Sequence, residues 1–280
     1  VAGILAPLVL GSLVLHGIGD LSAQVEVADA ATKAALLDDF AAKIHTPYLV
    51  MAGILLLLAV AVLFSPLPEI SPAEANATPA AGGASGRTSI FQFPHLWLGV
   101  LCLFVYVGAE VMAGDAIGTY GHAFGLPLDQ TKFFTSFTLA AMLLGYLAGL
   151  VLIPRYFSQE RWLSVSAVLG VLFSIGALLT TGYVSVGFVA ALGFANAMMW
   201  PAIFPLAIRG LGRFTETGSA LLIMGIAGGA IIPQAFAVLK QYADFQWVFA
   251  GLMVPCYLYI LYYAQRGHRA GLPGGRAGAG

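Results

Sequence analysis

What most limits the folding of this chain is how far it runs without a charge. No Asp, Glu, Lys or Arg lies between Arg161 and Arg209, and further uncharged runs separate Lys132 from Arg155, Glu216 from Lys240 and Asp244 from Arg266. Crossing roughly 30 Å of hydrocarbon takes about 20 mostly apolar residues, and in lipid a helix satisfies every backbone polar group within its own segment. Composition agrees: 60% of the residues are apolar and 9% charged, against about a quarter charged in an ordinary globular chain. Twelve basic and 13 acidic residues leave a net charge of −1, so nothing marks a nucleic-acid partner. The expected class is an all-α membrane protein with several spans.

Eight spans are expected, over 1–18, 47–65, 96–121, 132–153, 162–182, 184–208, 217–239 and 245–264. Two connections are long. Residues 19–46 hold an acidic, Ala-rich stretch from Asp29 to Lys43 that reads as a short surface helix capped by Asp29. Residues 66–95 are rich in Pro, Ala, Gly and Ser, a linker composition. The chain starts at Val1 with no basic lead before His16, unlike a signal peptide, and is expected to begin inside a longer protein. All eight arginines fall at one set of span ends and all four lysines at the other. The excess of basic residues marks the arginine side as cytoplasmic, with both chain ends on it.

Ionisable groups at membrane depth are expensive and usually face a cavity or a partner. Glu110 is placed past the middle of its span, as a ligand for a polar solute or proton, or as a neutral acid packed on a neighbouring helix. Asp115 follows toward the outer end and either joins that site or reaches the interface. Asn196 offers a donor and an acceptor to a hydroxyl, or an interhelical hydrogen bond. Trp200, one turn on, either stacks on a ligand or faces lipid. Pro201 and Pro205 interrupt one span, and Gly225, Gly228, Gly229 and Pro233 another, a pattern that points to transporter sites. Gly145 and Gly149 read as a small-residue packing pair. Cys102 and Cys256 lie in apolar runs as packing residues. The histidines (His16, His45, His95, His122 and His268) fall at span ends, in loops or in the tail and are expected to be solvated. No metal-ligand spacing and no nucleophile beside a base stands out.

The last six spans read as two triplets, each opened by a span with one polar residue near mid-depth. The segments YVGAEV (106–111), GYLAGLVLIPRYFSQER (145–161), NAMMWPAIFPLAIRGLGRFT (196–215) and GSALLIMGIAGGAIIPQ (218–234) resemble the fucose permease and glucose/galactose branch of the major facilitator superfamily. The resemblance implies that residues 1–65 form the last two helices of the N-terminal half, 66–95 the central cytoplasmic linker, 96–266 the C-terminal six-helix half and 267–280 a cytoplasmic tail. Eight of the twelve helices of the major facilitator fold would then be present, the first four being absent.

The activity implied by the resemblance is a proton-coupled hexose symporter working by alternating access in the bacterial inner membrane. Its partners would be a sugar, protons and lipid, with no other cofactor, and the protein would be a monomer. Glu110 and Asn196 would meet the sugar. Glu110 stands where glucose/galactose members have Glu and fucose permeases Gln, and Trp200 where relatives have a smaller aromatic. Two other classes stay open: a non-transporting receptor or assembly subunit, and a membrane enzyme using Glu110 and Asp115.

Overall fold

The computed structural model describes residues 18–64, 87–153 and 155–272, together with residues 5, 8, 11 and 12. Most of the expected span 1–18, the bulk of the linker and the tail beyond 272 lie outside the described residues. Among those described, seven helical stretches are long and apolar enough to cross a membrane: Ala30–Leu63, Pro94–Gly114, Leu128–Leu152, Gln159–Leu179, Gly182–Ile208, Gly212–Leu239 and Phe245–Gln265. The chain is a multi-pass membrane protein.

The helices are numbered along the chain. Near the start are α1 (Ile18–Val27) and α2 (Ala30–Leu63). After the linker come α3 (Pro94–Gly114), α4 (Ile117–Ala123), α5 (Phe134–Leu152) and α6 (Gln159–Leu179). Two spans are broken, the first into α7 (Gly182–Asn196) and α8 (Met199–Ile208), the second into α9 (Thr215–Met224) and α10 (Gly228–Leu239). The last is α11 (Phe245–Gln265).

The expected surface helix and the span after it are one element. α2 runs unbroken for 34 residues with Pro47 inside it, because the Ala-rich stretch has high helix propensity and no glycine separates it from the apolar run. Asp29 takes the N-cap place through its backbone, Lys33 N–H donating to its carbonyl at 2.9 Å, without a side-chain cap. At about 1.5 Å per residue α2 reaches roughly 50 Å, beyond the ~30 Å of hydrocarbon. The excess falls on the charged end, where Asp39 and Lys43 pair at 2.8 Å. None of the described α2 residues is buried.

The other six spans form one core. α3 lies at its centre and touches α7, α8, α9, α10 and α11, while α11 packs along α6 and α7 packs along α5. The expected span 96–121 ends earlier, at Gly114, where the N–H groups of Asp115 and Ala116 both turn back to the Val111 carbonyl (2.8 and 3.3 Å), and α4 follows as a separate helix. Cys102 and Cys256 are buried free thiols in this core.

Each end of the core is tied by polar groups. At the lysine end, Gln246 Nε2 donates to the carbonyls of Ala177 and Thr180 (2.8 and 2.7 Å), and Ser185 Oγ donates to Ala177 (2.6 Å). These bonds satisfy carbonyls that the last turn of α6 would leave bare. Asp244 caps α11 by accepting from the N–H groups of Gln246 and Trp247 at 2.9 and 3.3 Å. Asp244→Ala is expected to lower stability by about 1 kcal/mol, read as a fall in thermal midpoint in detergent.

At the arginine end two histidines depart from the solvated state expected for them. His95 and His268 are 0% and 2% exposed, because the segments flanking the core fold back over it. His95 Nε2 pairs with the Arg209 carbonyl at 2.9 Å. His268 Nδ1 meets the Tyr263 carbonyl at 3.1 Å, and its Nε2 accepts from Arg269 Nε at 3.0 Å. Burial pushes the His268 pKa below the ordinary histidine value, which suits a neutral ring with one acceptor nitrogen. His45 and His122 are exposed, as expected, and His16 lies outside the described residues.

Candidate substrate site

Two broken spans shape the middle of the core. Pro201 has no N–H to give the Ala197 carbonyl, so the helix stops at Asn196 and restarts at Met199. The break is held against α5. A Cβ on Gly145 would lie 2.6 Å from the Phe194 carbonyl oxygen, and one on Gly149 would lie 2.4 Å from the Met198 side chain. The glycine pair is thus a packing pair, seated on the break itself. The second interruption is a tight turn over Gly225–Ala227, where a Cβ on Gly228 would sit 1.8 Å from the Phe104 carbonyl oxygen on α3. Both breaks therefore abut a neighbouring helix at backbone distance.

Glu110 stands one turn before the end of α3 and is half-buried. Tyr106 lies one turn back along α3, on the same helix face. The charge of Glu110 also reaches the hydroxyls of Tyr146 on α5 and Tyr257 on α11. The Tyr106 ring meets Trp200 edge-on at 6.5 Å, and Trp200 stacks on Phe204 at 6.4 Å and 13°. Acid, phenols and indole thus converge from α3, α5, α8 and α11. Glu110, Tyr146 and Trp200 are the half-buried members of this group, while Tyr106 and Tyr257 are sealed. A surface of this kind can bind hydroxyl groups through the acid and phenols while an aromatic ring covers an apolar face.

Asn196 and Asp115 lie apart from that surface. Asn196 is 0% exposed at the end of α7. Its Oδ1 accepts from the Tyr257 hydroxyl at 2.9 Å, and its Nδ2 is buried without a partner. The Tyr257 ring is seated on Gly170 of α6, where a Cβ would lie 2.4 Å away. Any ligand for Asn196 needs the bundle to open. Asp115 is exposed at the C-cap of α3, beyond the aromatic cluster, though close enough to act on Glu110 electrostatically. Among the described residues no group of three or more His, Cys, Asp or Glu could hold a metal ion.

Tyr106, Tyr146 and Tyr257 were not singled out in the sequence. Tyr106 was accessible to that reading, since it precedes Glu110 by one helical turn. Tyr146 and Tyr257 were not, because nothing local separates them from other tyrosines in apolar spans.

No family model matches the chain. Two crystal structures of the fucose:proton symporter FucP, one in the outward conformation of this major facilitator superfamily transporter and one described as from E. coli, superpose with a TM-score of 0.63. They are 20 and 21% identical, cover 86% of this chain, and are themselves covered over 58 and 59%. The architecture is the major facilitator fold.

The glucose/galactose transporter of Brucella abortus is 30% identical over 232 residues, 81% of this chain and 54% of that protein. The L-fucose-proton symporter of Escherichia coli is 25% identical over 194 residues, 68% of this chain and 43% of that protein. The chain spans about half the length of these relatives. The chain is similar to sugar permeases of the glucose/galactose and fucose–proton branch of the major facilitator superfamily. The relatives are transporters, not enzymes.

Proposed function

We propose that this chain forms part of a proton-coupled hexose symporter of glucose/galactose type that works by alternating access. The observation that carries the reading is Glu110, a half-buried acid among Tyr106, Tyr146 and Trp200 beside two broken spans, in a chain similar to sugar transporters. A neutral carboxyl can donate to a sugar hydroxyl, whereas a carboxylate only accepts. Protonation therefore changes which hydroxyls the site satisfies, and a difference in affinity between two states is what shifts a conformational equilibrium. The proton serves as coupling ion with no other cofactor. Trp200 covers one sugar face, and Asn196 comes into the site when the bundle opens, while Asp115 biases Glu110 from the outer end. The protein acts as a monomer in the bacterial inner membrane, with the arginine-bearing ends cytoplasmic. The relatives give no support to the receptor reading.

The test is binding of glucose, galactose and fucose to the purified protein in lipid nanodiscs across a pH series, with uptake into proteoliposomes under an inward proton gradient. Glu110→Gln should keep sugar affinity within about threefold, since the amide still donates and accepts, but flatten its pH dependence. A variant that binds with the wild-type pH profile would move proton coupling to another group. Absence of binding of any of the three sugars by folded wild type would overturn the hexose reading.

A further inference from the structure

Among the described residues the arginine end of the core carries an excess of positive charge with no ion pair. Among the described residues it carries Arg87, Arg155, Arg161, Arg209, Arg213, Arg266 and Arg269 against Glu160 and Glu216. The two ion pairs found among the described residues, Asp39–Lys43 and Asp129–Lys132, both involve lysines elsewhere.

Two of these arginines are brought together. Arg87 donates from Nη2 to the Gly271 carbonyl and lies 4.7 Å over the Phe93 ring. Arg213 lies 4.9 Å over the Phe214 ring and reaches the carbonyls of Arg87 and Thr88 at 3.5 Å. The supporting rings, Phe93 and Phe214, are edge to face at 5.8 Å. Each guanidinium is thus carried by one of two touching rings, and among the described residues no carboxylate pairs with either. A guanidinium carries five N–H donors, and most of those on this pair are unused among the described residues. Phe91, 74% exposed, lies just before α3 and stacks on Trp97 at 5.3 Å and 6°. It provides an apolar shelf where the span meets the membrane surface.

We propose that Arg87 and Arg213 form a binding site for the phosphate of an anionic phospholipid, with the lipid's glycerol and upper acyl region lying on Phe91 and Trp97. The fork of each guanidinium fits phosphate oxygens, and a phosphodiester between them removes the mutual repulsion. Basic pockets between spanning helices suit such headgroups. The exposed aromatic shelf favours a lipid over a soluble phosphate, which would leave Phe91 in water.

The experiment is native mass spectrometry of the purified protein offered equal phosphatidylglycerol and phosphatidylcholine, alongside thermal unfolding with each lipid and with inorganic phosphate. At about fivefold per arginine near an anionic headgroup, wild type should retain phosphatidylglycerol over phosphatidylcholine by at least about tenfold. Arg213→Gln should cut that preference about fivefold. Arg155→Gln, at the same end but outside the pair, should change it by less than about twofold. Phe91→Ala should weaken retention of phosphatidylglycerol and, because it touches neither guanidinium, serves as the second variant if Arg213→Gln fails to fold. Equal losses in Arg155→Gln and Arg213→Gln would reduce the effect to general charge attraction and overturn the site. No lipid preference in wild type would overturn it as well, as would stabilisation by inorganic phosphate equal to that by phosphatidylglycerol.

Discussion

Gly228→Ala is expected to lower the stability of the core by about 1–3 kcal/mol. The added Cβ would fall 1.8 Å from the Phe104 carbonyl oxygen on α3, and a backbone oxygen cannot swing away as a side chain can. Relief requires α10 to move off α3, which would also loosen Ile232 from its place against Gly108, where a Cβ would meet Ile232 Cδ1 at 2.2 Å. Small residues at such crossings let backbones approach, and packing of this kind is what holds helices together in lipid. The matched control is Gly187→Ala. Gly187 is an exposed helical glycine of α7 with nothing within 4 Å of the new methyl group, so the substitution should stabilise by about 0.4–1 kcal/mol through the unfolded chain. Thermal unfolding of both variants in one detergent decides the matter. Equal behaviour of the two would mean that α3 and α10 are not in backbone contact.

Tyr257→Phe should cost about 1–3 kcal/mol, because it leaves both ends of the fully buried Asn196 amide without a partner. Asn196→Leu should cost a comparable amount by leaving the Tyr257 hydroxyl bare. The double variant Tyr257→Phe/Asn196→Leu should recover much of the loss, since removing both members of a buried polar pair can be nearly neutral. Strict additivity in that cycle would sever the two residues. The same variants separate support from substrate contact. If Asn196 meets the sugar once the bundle opens, Asn196→Leu reduces sugar affinity more than Tyr257→Phe does, at equal stability. If it only braces the break between α7 and α8, both variants change stability and leave affinity alone.

The membrane class and the places of the last six spans were legible because lipid imposes a one-dimensional rule: an uncharged run of sufficient length must be a closed helix. The interruptions were legible too, since Pro201 lacks an N–H wherever it sits and Gly225 and Gly228 carry no Cβ. The single helix α2 was not, because propensity carries it through the charged stretch that a hydropathy reading separates from the apolar run. Burial of His95 and His268 was also hidden, since it arises from chain segments far apart in sequence closing over one end.

The candidate site divides along the same line. Sequence alone determined that Glu110 and Asn196 lie at membrane depth and that Trp200 shares a helix face with Asn196, because depth and face follow from counting along a helix. Only the tertiary structure decided that Glu110 and Trp200 stay partly exposed and that Asn196 is sealed. Tyr257 is one of four tyrosines near the end of α11, and it bonds Asn196 because Gly170 on α6 leaves room for its ring. Partnership between helices depends on how closely their axes approach, a quantity set jointly by the small residues on both, and no single segment carries it.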